Sequence, residues 1–196
     1  MKRITAIVSL LLMSLSAPSF SQSYGGGGWG GGWGDDKFVL SDQTTRKVSE
    51  LLTGGVRTCQ ARLEKPYRYD CYREVYGQAA AQLKGNKAYD GARQALETVE
   101  QSLGRTIQRN LDPTAPQARR GFQQFRAIKP AALPTAKRDF IAALETAETQ
   151  LLRSPPNTQP HFQTIAAAIN TTKVLLRSAQ LLLQMPELVR QAMLGR

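Results

Sequence analysis

Phe162, Ile165, Ile169, Thr172, Leu176, Ala179 and Leu183 follow one another in steps of three and four residues. That spacing is the 3.6 period of an α-helix seen from one side. A strand cannot present it, because its side chains alternate with a period of two. Leu175 and Leu182 widen the stripe, and Pro160 sits where a first helical turn accepts proline. A helix reaching to about Gln184 with one apolar face has to bury that face against other helices or a sheet.

The rest of the chain supplies helices. Tyr89, Ala92, Leu96, Val99, Leu103 and Ile107 form a second stripe. A third helix is expected to start at Pro134 or Thr135, to bury Ile141, Leu144, Ala147 and Leu151, and to break at Pro155 and Pro156. Tyr69, Tyr72, Tyr76, Ala79 and Leu83 share another face, ended by Gly85 and Asn86. Upstream, Val48, Leu52, Val56, Cys59 and Leu63 hold helical register through Gly54 and Gly55. Each glycine costs about 1 kcal/mol inside a helix, so one weak-centred helix and two short ones both fit. A short helix is expected over residues 117–127 and another after Pro186; no segment reads as an alternating strand. The fold class is all-α, a single bundle of four to five main helices over residues 41–196.

Within it, Cys59 and Cys71 lie six residues either side of Lys65, in the segment "RTCQARLEKPYRYDCYREVY". Glu64, Lys65 and Pro66 suit a turn between two antiparallel helices, which would set the two cysteines side by side. Eleven intervening residues do not fit a Cys-x-x-Cys redox pair, and two Cys with one His fall short of a zinc site. The expected bond is a structural disulfide, stabilising the fold by roughly 3 kcal/mol.

A disulfide wants an oxidising compartment, and the N-terminus points to one. Lys2 and Arg3 precede a 13-residue apolar run at 4–16, followed by Ser19 and Ser21 at the −3 and −1 positions of a cut after Ser21. This is the layout of a cleaved signal peptide, over residues 1–21, and its apolar run is shorter than the ~20 residues that span a bilayer. Its compactness points to a bacterial periplasm or to secretion. Loss of Lys2 and Arg3 would lower the net charge from +11 to +9. Residues 22–40 read as a flexible tail, because "YGGGGWGGGWG" is too glycine-rich for regular structure. Trp29 and Trp33 are its candidate contact residues.

Catalytic groups are scarce. His161, the single histidine, has no identifiable nucleophile or orienting carboxylate and reads as an ordinary polar residue in a first helical turn. Glu74, among Tyr72 and Tyr76, is the one carboxyl placed to serve a small-molecule or glycan-processing pocket. No metal, cofactor or catalytic residue is implied. Charge is the positive signal. Between Asp112 and Asp139 the chain carries Arg119, Arg120, Arg126, Lys129, Lys137 and Arg138 and no acid, with Phe122, Phe125 and Ile128 at helical spacing. The hairpin adds Arg57, Arg62, Arg68, Tyr69 and Arg73. Arg with Tyr suits an interface. The expected function is therefore non-enzymatic binding to an anionic envelope component or an acidic protein, with peripheral membrane contact and no physiological nucleic acid. The sequence fixes no oligomeric state.

Overall fold

The computed structural model describes residues 39–184, with side chains as far as Ser178. The signal peptide, the tail with Trp29 and Trp33, and the helix expected after Pro186 lie outside these residues.

Five helices run in sequence: α1 (Asp42–Arg62), α2 (Lys65–Gln82), α3 (Asp90–Asn110), α4 (Leu133–Leu152) and α5 (Gln159–Gln184). Each packs on the next, and α5 returns to pack on α1, so the five close into a ring around one core. Five helices alternating in direction leave the first and last parallel. Thr45 and His161, each in the first turns of its helix, are accordingly bonded at 2.9 Å. The starts of α1, α3 and α5 share one end of the bundle.

The stripes read from the sequence are the buried ones: Val48, Leu52, Val56 and Cys59 on α1, Tyr69, Tyr72 and Tyr76 on α2, and Phe162, Ile165, Ile169 and Leu176 on α5. On α4 Phe140 is buried with the expected Leu144, Ala147 and Leu151, while Ile141 is only half-buried. Tyr72 stacks on Phe140 with centroids 5.2 Å apart, and Tyr76 meets the same ring edge-on at 5.8 Å. Burial pushes the Tyr72 phenol up to about 12 and raises Tyr69 and Tyr76 further. The tyrosines therefore serve the core as neutral groups.

α1 is a single unbroken helix through Gly54 and Gly55. Gly54 faces open space, but a Cβ at Gly55 would lie 2.8 Å from both Val75 methyls. The bare Cα lets α1 and α2 approach closely, and Cys59–Cys71 bridges them with Cα atoms 5.8 Å apart.

One expectation fails. Residues 117–127 are not helical: they form an antiparallel ribbon of β1 (Ala118–Arg120) and β2 (Gln123–Phe125), inside a longer arm between α3 and α4. The turn is the reason. Gly121 takes φ +58° as the first of two turn residues and Phe122 keeps a negative φ, the pattern of a type II′ hairpin.

Candidate functional site

The arm leaves α3 and returns to α4 through a narrow neck. Leu111 pairs with Ile128 in an antiparallel bridge. Asp112 N–H donates to the Ala127 carbonyl at 3.0 Å, and Lys129 N–H to that of Asn110 at 2.9 Å. The arm then lies along the start of α2. Ile128 N–H donates to the Pro66 carbonyl at 3.1 Å, and the Tyr67 hydroxyl donates to the Pro116 carbonyl at 2.9 Å.

Asp70 fastens this contact. Its side chain is only 2 % exposed. From the arm, the Arg126 backbone N–H (2.9 Å), Nε (3.1 Å) and Nη2 (3.1 Å) donate to it. From its own helix, Arg73 Nε donates at 2.8 Å. Burial pushes the carboxyl up, but the hydrogen bonds from Arg126 and Arg73 outweigh it and hold Asp70 below its ordinary 3.8. Arg73 continues the network to Glu74 and, at 3.3 Å, to Glu100 on α3.

Cross-strand register decides which arm residues face the helices. Arg120 pairs with Gln123 and Ala118 with Phe125, so these share the inner face, while Arg119 and Gln124 share the outer one. Phe125 is buried, as are Ala127 and Ile128 at the neck. Phe122 at the tip is 108 % exposed, a ring packed against no other described residue. The helical spacing read for Phe122, Phe125 and Ile128 is thus corrected: the ribbon's period of two replaces the helix's 3.6, and Phe122 lies off the core.

The candidate binding residues divide in two. Arg73 and Arg126 are held by Asp70, and Arg68 Nε donates to the Leu63 carbonyl at 2.8 Å. Tyr69 is core. Arg57, Arg62, Arg119, Arg120 and Lys129 are exposed. Sequence reasoning missed Asp70, a single acid between Tyr69 and Cys71, and it passed over the Gly121–Phe122 turn signal.

Glu74, Tyr72 and Tyr76 do not come together at a cavity. Both tyrosines point into the core. Glu74 instead lines a recess of about 210 Å³ between the disulfide and the arm, with Thr58, Gln78 and Arg120. Two larger open grooves run along helix pairs. One, of about 610 Å³ between α3 and α4, holds Ser102, Arg105, Arg109 and Asp139. The other, of about 570 Å³ between α1 and α5, holds Asp42, Ser49, Thr53 and His161. His161 is tied to Thr45, whose hydroxyl lies 2.7 Å from that of Tyr89. Among the described residues no helix is long and apolar enough to cross a membrane. Comparison with known proteins gives no match: no family profile, curated protein or solved structure is similar to this chain.

Proposed function

We propose that this protein is an exported, non-enzymatic binding protein that engages an anionic envelope component through the arm end of its bundle. A signal-peptide-like N-terminus and the Cys59–Cys71 bridge support export to the periplasm or beyond. The observation that carries the binding role is the arm itself. A buried carboxylate with two guanidiniums fastens a ribbon whose outer part buries little: Arg119 and Phe122 face outward at its tip, and Arg120, on the inner face, stays exposed. Neither Arg119 nor Arg120 has an ion pair among the described residues. Cations left unpaired at an end already rich in them attract anions and gain little for the fold.

The test is sedimentation of the mature protein with peptidoglycan sacculi and with envelope membranes, at low and high salt. The expected result is retention on an envelope fraction that falls with salt and with Arg119→Ala plus Arg120→Ala. Retention that ignores both salt and the two arginines overturns the reading, as does no retention at all.

A further inference from the structure

Building on that reading, we propose that the arm is a peripheral anchor for an anionic lipid surface, with Phe122 entering the interface and Arg119 and Arg120 holding the phosphates around it.

Shape is the first argument. The ring stands fully exposed on the two-residue turn of a ribbon that lies along α2, with Arg120 and Gln123 beside Glu74 and Gln78, so one apolar side chain leads any contact made there. A protein partner would have to supply a pocket for the ring and carboxylates matched to arginines on opposite faces of the ribbon. A bilayer supplies both without matching, since it is a plane of charged headgroups over an apolar phase that takes a ring end-on.

The second argument is the placement of charge. Arg119 lies on the outer face and Arg120 on the inner one, immediately behind the turn. When the ring enters, both guanidiniums arrive at headgroup depth, one on each side. Their stems are long enough to lie along the ribbon while the charged ends reach phosphate. Arg62, Lys65 and Lys129, exposed at the same end of the bundle, add longer-range attraction to an anionic surface.

Rigidity is the third. An anchor transmits its binding to the protein only if its base is fixed. The Arg126–Asp70 clamp and the Tyr67–Pro116 bond fix this one to α2, next to the disulfide. The contact is peripheral: one ring and a few cations give a reversible hold, in contrast to a spanning helix.

The test uses the full mature chain with vesicles of phosphatidylcholine alone and of phosphatidylcholine mixed with phosphatidylglycerol. Wild type is expected to bind the mixed vesicles and not the neutral ones. Phe122→Ala should lower the partition coefficient about tenfold, with Phe122→Leu keeping most of it. Each of Arg119→Ala and Arg120→Ala should lower it about fivefold. Circular dichroism of the variants should match wild type, because none of these side chains is buried.

Binding to mixed vesicles that depends on the arginines but not on Phe122 overturns insertion and leaves the anionic-partner reading standing. Retention on sacculi without vesicle binding does the same. Retention on envelope membranes that disappears when those membranes are first digested with protease identifies a protein partner and overturns the lipid assignment. No binding to any of these surfaces overturns both proposals.

Discussion

At one end of the bundle the starts of α1, α3 and α5 are tied by hydroxyls and one imidazole. Tyr89 donates to the Ser41 carbonyl at 2.8 Å and accepts from the Ser41 N–H at 2.9 Å. Thr45 lies 2.7 Å from the Tyr89 hydroxyl and 2.9 Å from His161 Nδ1. At the other end the start of α2 is tied to the arm by a buried carboxylate between two guanidiniums. A hydroxyl donates and accepts, so two of them, with the Ser41 backbone and one imidazole, satisfy one another within a few ångströms. A carboxylate only accepts, and its charge stays indoors only when several donors converge on it. Asp70 therefore reaches to another segment, and that segment is the arm. The hydroxyl end closes upon itself; the ionic end holds something out.

The disulfide belongs to the ionic end, and removing it should have the largest effect. Replacing Cys59 and Cys71 together by Ala is expected to lower stability by about 3 kcal/mol, through the loop closure lost from the unfolded chain. Urea unfolding of the oxidised protein and the double variant measures this. An unchanged midpoint would mean that the arm end owes nothing to its staple.

Asp70→Asn comes next, at about 2 kcal/mol at neutral pH. Breaking a fully buried pair costs about 3–5 kcal/mol, but here Arg126 and Arg73 keep partial access to water and the amide oxygen can still accept one bond. The sign with pH follows from the depressed carboxyl. A group held below its unfolded value of 3.8 contributes stability above that pH and loses it as pH falls through the folded value. The gap between wild type and variant should thus be constant from neutral pH down to about pH 5 and shrink in stronger acid. A gap that persists unchanged in acid would show that Asp70 acts by shape and not by charge.

The helical part of this architecture was legible because its information is periodic. Phe162 to Leu176 and Tyr89 to Ile107 repeat over several turns, and each repeat reinforces the last. The hairpin was legible for a different reason: two cysteines symmetric about a Pro-containing turn leave little choice of partner. The arm was not legible on the same terms. Its strands are three residues each, too short for a period, and Phe122, Phe125 and Ile128 happen to fit a helical step. Only Gly121 carried the true signal. Asp70 was hidden because the donors that make it important come from Arg126, far along the chain, and pairings of that kind leave no local pattern. Gly54 and Gly55 look alike in sequence, yet only Gly55 meets Val75.

The smallest effect should come from the hydroxyl end. Tyr89→Phe removes one O–H while keeping the ring stacked on Phe162, whose centroid lies 6.3 Å away. Thr45 retains the Ser41 carbonyl at 3.0 Å and His161 at 2.9 Å, and the Ser41 N–H that loses its acceptor is only half-buried, within reach of water. The expected loss is about 1 kcal/mol, the net worth of an uncharged hydrogen bond. It should not change with added salt, because no ion pair is broken. A loss in urea unfolding as large as that of Asp70→Asn would erase the distinction between the two ends. The hydroxyl knot would then be holding a strained junction of its own, with Thr45 at its centre.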